Sequence, residues 1–167
     1  GGTIDMGSGA IVFNAGGAEV TSANDNLTIT TTNTAAGGLT IDNATTIGAT
    51  SSTDNAALET DVVELTITNG AGSAFISETS GIGLGTVNVG SVNDLDIRAG
   101  ENIEENASAV TAKDLILTVV ATDARIGKTG SKINVTLSGT LTASAADGTG
   151  GIFISHTGDL TLGAVDA

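Results

Sequence analysis

The sequence predicts an all-β fold, a parallel β-solenoid of about eight coils formed by residues 1–167 as a single segment of a longer protein. Three observations carry this expectation: a short strand signature that recurs along the chain, a large internal repeat, and a composition rich in aliphatic residues but nearly free of aromatic ones.

The strand signature is a turn residue, then Leu or Ile, any residue, then Ile or Leu. It occurs as NLTI (26–29), GLTI (38–41), DLDI (94–97), DLIL (114–117) and DLTL (159–162). This alternation sends the aliphatic pair to one face and the intervening residue to the other, the period of a half-buried strand. No helical periodicity competes with it. Short strands bounded by Gly, Asn, Asp and Ser at intervals of about ten residues indicate an all-β architecture.

The repeat joins FISETSGIGLGTV (75–87) to FISHTGDLTLGAV (153–165) without gaps at an offset of 78, with seven of thirteen positions identical. Upstream, Ile47-Gly48 answers Ile126-Gly127 and Leu65-Thr66 answers Leu141-Thr142, at offsets of 79 and 76. Turns that tolerate insertions therefore separate matching strands, and the chain divides into two related units, approximately 1–87 and 88–167. With coils of about 20 residues each unit holds about four, and eight coils at about 4.8 Å span about 40 Å.

Composition selects the solenoid over other all-β folds. A sandwich normally shows aromatic anchors and tight Asn-Gly hairpins, and a propeller shows a blade repeat of about 40 residues with an aromatic signature. This chain has Phe13, Phe75 and Phe153 as its only aromatics and a single Asn69-Gly70. Thin layers filled by Ile, Val, Leu and Ala need no large anchors. The absence of Pro follows because Pro deletes a ladder hydrogen bond, and Gly or Asn suits corners that need positive φ. The absence of Cys excludes disulfides and metal–thiolate sites.

The formal charge is −14, from 19 acidic and five basic residues. Arg98, Lys113, Arg125, Lys128 and Lys132 are the basic ones, and none precedes residue 98. Such a surface repels phosphate backbones and anionic head groups, so no nucleic-acid partner is expected. No apolar run approaches the roughly 18 residues of a membrane helix, so no membrane insertion is expected, and export has to be encoded upstream of this segment.

The stretch from Ile126 to Val165, IGKTGSKINVTLSGTLTASAADGTGGIFISHTGDLTLGAV, resembles the repeat region of filamentous-haemagglutinin-like bacterial surface proteins, and residues 47–87 resemble a more divergent copy. The resemblance implies a right-handed parallel β-helix, secretion to the bacterial cell surface, and a role in adhesion, biofilm or surface filaments. The expected function is thus a structural or adhesive rod with no catalysis. Its expected partners are a host surface, glycan or matrix component, or further copies joined end to end or laterally. The alternative is a carbohydrate-binding or carbohydrate-cleaving β-helix of the pectin-lyase type.

Candidate chemical residues are few. His156, the only histidine, answers Glu78 in the other repeat, which suggests an exposed, variable position. Asp94 with Asp96 reads as a solvent-facing pair, and Glu104-Glu105 as part of a loop or long corner. Structural calcium is the one metal to consider, with Asp25, Asp42 and Asp54 as candidate ligands, because acidic corners supply oxygen donors. The calcium-binding nonapeptide of β-helix repeats and EF-hand spacing are both absent, so no cofactor is expected. In LTIT, at 27–30 and 65–68, both threonines are expected to face outward.

Overall fold

The computed structural model describes residues 2–5, 10–20, 27–30, 38–48, 51–53, 57–68, 70, 72–106, 109–146 and 149–167, with 2–5 and 27–30 described by backbone alone. In chain order the strands begin with β1 (Gly2–Asp5), β2 (Ile11–Asn14), β3 (Glu19–Val20), β4 (Leu27–Thr30), β5 (Gly38–Asp42) and β6 (Thr46–Ile47). They continue with β7 (Leu58–Asp61), β8 (Glu64–Thr68), β9 (Ala74–Glu78), β10 (Ile82–Asn88), β11 (Leu95–Ala99) and β12 (Ile103–Glu105). The last six are β13 (Ala109–Ala112), β14 (Leu115–Val119), β15 (Ile133–Leu137), β16 (Thr140–Ala145), β17 (Ile154–His156) and β18 (Thr161–Asp166). No helix occurs among the described residues.

Successive strands do not pair with each other. The chain winds, so that each strand pairs in parallel with the one a turn later. One sheet runs β1-β4-β7-β9-β11-β14-β16-β18, and the facing sheet runs β2-β5-β8-β10-β13-β15-β17. The result is an all-β parallel solenoid of about five turns. The turn length varies along the chain: Leu58 pairs with Ile76, whereas Thr28 pairs with Glu59, a much longer step.

The core consists of columns of aliphatic side chains, one per turn. Leu95, Leu115 and Leu141 stack in register in the first sheet, and Leu39, Leu65 and Leu84 in the second, all of them buried. Burying each such side chain contributes about 1.5–3 kcal/mol. The strand signature is therefore the core itself, with the intervening residue outward. Thr66 and Thr68 of the second LTIT lie on the outer side, as expected, and Thr40 stacks on Thr66. The side chains of the first LTIT lie outside the described residues.

The internal repeat is related to the structure in a way that its offset alone does not reveal. Phe75 lies in β9 of the first sheet, whereas Phe153 immediately precedes β17 of the second. Leu65 lies in the second sheet and its counterpart Leu141 in the first. The two copies are half a turn out of phase, yet the local contact is the same. Gly48 and Gly127 both have positive φ, 64° and 69°, and a Cβ built on either meets the carbonyl oxygen of the corresponding Phe in the next turn, at 2.3 and 2.2 Å. The Ile-Gly pair is thus a corner over which the next coil passes at backbone distance.

This contact predicts a graded cost. Gly130 also has positive φ, 86°, but nothing lies within 4 Å of its added Cβ. Gly130→Ala should lose about 1–2 kcal/mol of stability from backbone strain. Gly127→Ala adds a backbone clash worth about a further 1–3 kcal/mol. Chemical denaturation of the two variants measures the difference directly.

Candidate functional site

The outer face of the first sheet carries a trench across four successive rungs. Its floor is the column Phe75, Asp96, Ile116 and Thr142, which pair in register across β9, β11, β14 and β16. Alternation aims these four side chains outward, because their strand neighbours Ala74, Ile76, Leu95, Ile97, Leu115, Leu117, Leu141 and Ala143 are all buried. Asp94, Asp114 and Thr140, each just before or at the start of its strand, form one lip. Ser51 also lines the trench, beside Asp96.

The lip is built from turn residues of the strand signature. The Asp94 amide donates to Ser73 Oγ at 3.0 Å, and the Thr140 amide donates to Asp114 Oδ1 at 2.6 Å. Asp94 and Asp114 occupy adjacent rungs, where like charges repel. Lys113 lies between them, with Nζ 2.6 Å from Asp114 Oδ2 and 3.5 Å from Asp94 Oδ1. The longer contact is an ion pair without hydrogen-bond geometry, and Asp94 Oδ1 has no hydrogen-bond partner. The hydrogen bond from Lys113, with the Thr140 amide and the Lys113 charge, holds the Asp114 carboxyl below its ordinary range, and the bond to Asp114 with the charges of Asp114 and Asp94 raises the Lys113 ammonium above its own.

Asp96 departs from the expectation of a solvent-facing acid. It points outward but is only 5% exposed, because the segment around Ser52 folds over it. The Ser52 amide donates to Asp96 Oδ2 at 2.9 Å, its hydroxyl donates to Oδ1 at 2.6 Å, and Ser51 Oγ donates to Oδ2 at 3.4 Å. Asp96 therefore anchors one wall of the trench. A signal for this was present in the sequence: the signature places Thr or Ile at this outward position in its other copies, and Asp only in DLDI.

Glu78 also departs from expectation, which took it as an exposed counterpart of His156. It is 1% exposed and points into the corner at the end of β9. Its Oε2 accepts from Thr60 Oγ1 at 2.7 Å and from the Val62 amide at 3.1 Å, and its Oε1 accepts from the Ser80 amide and hydroxyl, each at 3.0 Å. Burial pushes the carboxyl above its ordinary range against these four bonds. His156 lies in β17, half-buried, in the column above Val135, with Nδ1 3.1 Å from the Val135 carbonyl and Nε2 3.2 Å from that of Asp159. The half-turn offset of the repeats explains why the two positions have different surroundings.

Glu104 and Glu105 belong to strand β12 and not to a loop. Burial raises the Glu104 carboxyl, but the hydrogen bond from Lys128 and the charges of Arg125 and Lys128 outweigh it and hold the group low. Arg125 Nη2 also donates to Glu104 Oε1, and Lys128 Nζ lies 3.2 Å from Oε2. Glu105 accepts from Asn134 at 2.6 Å and from Ser131 at 3.3 Å. In the same column Gly83 separates Glu64 from Glu104, so the two carboxylates are not stacked on adjacent rungs.

Of the proposed calcium ligands, Asp25 and Asp54 lie outside the described residues. Asp42 ends β5 and accepts from Thr68 Oγ1 at 2.8 Å. Among the described residues no three His, Asp or Glu side chains converge as a metal-binding group. No helix of the described residues is long and apolar enough to cross a membrane. No protein-family model, curated protein or solved structure matches this chain.

Both buried acids can be probed directly. Asp96→Ala removes the acceptors of the Ser52 segment, at a cost of about 1.5–3 kcal/mol for bonds to a charged group, and the Ser52 amide should then exchange with solvent much faster. For Glu78 the folded carboxyl is shifted above its unfolded value of about 4.3, so the native state binds more protons than the unfolded chain. Its contribution to stability is full below that value and declines as pH rises towards the folded pKa. The stability of the wild type relative to Glu78→Gln, measured by denaturant titration, should fall as pH is raised from about 4. A flat difference would show that Glu78 is not desolvated in the folded chain.

Proposed function

We propose that this chain is a structural and adhesive segment of a large secreted bacterial surface protein, a right-handed rod of about eight coils related to the filamentous-haemagglutinin-like repeats it resembles. The observation that carries the reading is the continuity of the aliphatic columns. In the first sheet the column Ala74, Leu95, Leu115, Leu141, Leu162 runs rung after rung without a polar interruption. A stack held by backbone pairing and nearest-neighbour burial has the mechanics of a spacer: each turn supports the next, and length adds by repetition. The eight-member strand path from β1 to β18 supports the larger coil count.

The acidic outer surface opposes lateral sticking and favours growth along the axis.

Incubation with neutral and acidic polysaccharides tests the structural reading against the enzymatic alternative. The rod account expects no depolymerisation. Turnover that disappears on changing Asp94 or Asp114 would replace it with a carbohydrate-cleaving function.

A further inference from the structure

We propose that the trench over Phe75, Asp96, Ile116 and Thr142 is a binding site for a neutral glycan chain lying along the rod axis. This names a ligand for the adhesive surface and rests on that reading for its setting. The lining itself supplies the chemical argument.

The backbone under the trench offers nothing to a ligand. β9, β11, β14 and β16 are each paired on both sides, so an extended peptide finds no free edge to add to. Recognition there has to come from side chains. Those present are two apolar surfaces, the half-buried Phe75 ring and Ile116 (39% exposed), beside the hydroxyls of Thr140, Thr142 and Ser51 and the carboxylates of Asp94 and Asp114. A pyranose has the matching duality: a C–H face that packs on a ring, and equatorial hydroxyls that donate to carboxylates and exchange hydrogen bonds with threonines.

Charge selects among glycans. The lip carboxylates and the overall charge of −14 repel uronates and sulfated sugars. Lys113, the cation at the lip, is already held by Asp94 and Asp114. Lys113 offsets one of the two lip charges, which weakens the attraction for a cationic peptide. Asp114 retains acceptor capacity beyond its bonds to Lys113 and Thr140, because each carboxylate oxygen carries two lone pairs.

Shape favours a chain over a single sugar. The Ile116 and Thr142 rungs are joined by Phe75 beyond the Asp96 rung, which the Ser52 segment covers, so the outward contacts span about 14 Å over four rungs about 4.8 Å apart. The Ser51–Thr53 segment is pinned to Asp96 and needs no ordering on binding, since Ser51 Oγ is also within 3.0 Å of Thr53 Oγ1. Beyond Thr142 the next rung places Gly163, whose missing side chain leaves Thr142 uncovered: an added Cβ would lie 2.6 Å from Thr142 Oγ1.

The test is calorimetric and NMR titration of the intact chain with neutral tetrasaccharides of glucose, mannose and galactose. Polygalacturonate, heparin and a lysine-rich peptide serve as charged arms. The proposal expects millimolar or tighter binding of at least one neutral oligosaccharide, with amide shifts clustered on β9, β11, β14 and β16. Phe75→Ala should weaken it by about three- to tenfold, and Ile116→Arg, which fills the trench from an exposed position, should abolish it. Thr136→Val on the opposite sheet should leave it unchanged. Ile116→Arg keeps the test valid if Phe75→Ala fails to fold. Binding of none of the neutral sugars, binding indifferent to Ile116→Arg, or preference for a charged arm would overturn the site. None of these outcomes bears on the rod, which stands or falls on polysaccharide turnover.

Discussion

Every feature of this molecule follows from one constraint: in a parallel stack, each side chain has as its nearest neighbour the residue one turn later in the same column, about 4.8 Å away. Aliphatic residues profit from that proximity and form the Leu and Ile columns of the core. Like charges suffer from it. Gly83 is interposed between Glu64 and Glu104, and Lys113 bridges the adjacent Asp94 and Asp114. Arg125 and Lys128 in turn both engage Glu104.

The same constraint explains which parts were legible in the sequence. Alternation in DLDI, DLIL and LTIT reports inward and outward facing without knowledge of the fold, because it depends only on strand geometry. The recurrence of those tetrads identified the stack. The length of each turn was less legible, because the step from Thr28 to Glu59 is far longer than the step from Leu58 to Ile76, and sequence offsets average over such differences. The wall to which each repeat copy belongs was hidden for a related reason. The offset that matches Phe75 to Phe153 is the same whether it spans a whole or a half-integral number of turns, and only pairing decides.

Site residues were legible in proportion to how local their surroundings are. Asp94 and Asp114 read as turn acids and serve as such. Asp96 and Glu78 did not read as buried, because what covers them is distant in sequence: Ser52 lies 44 residues from Asp96, and Thr60 lies 18 residues from Glu78. The trench likewise assembles Phe75, Ile116 and Thr142 from three coils, and no short motif contains it. Acids that escape solvent here do so by collecting donors from loops, so that each buried carboxylate fixes a corner or a wall. A stack uniform in its core thereby acquires local identity on its outside, where any ligand has to be recognised.

The account depends on parallel, in-register stacking, and the lack of native cysteine makes that directly measurable. Thr118 and Ser144 pair on adjacent rungs of β14 and β16, whereas Arg98 and Ser144 are two rungs apart. Disulfides require Cα atoms within about 7 Å. The double variant Thr118→Cys/Ser144→Cys should therefore oxidise to an intramolecular bond, and Arg98→Cys/Ser144→Cys, at about 9.6 Å, should remain reduced. The reverse pattern, or equal oxidation of both pairs, would contradict the stack.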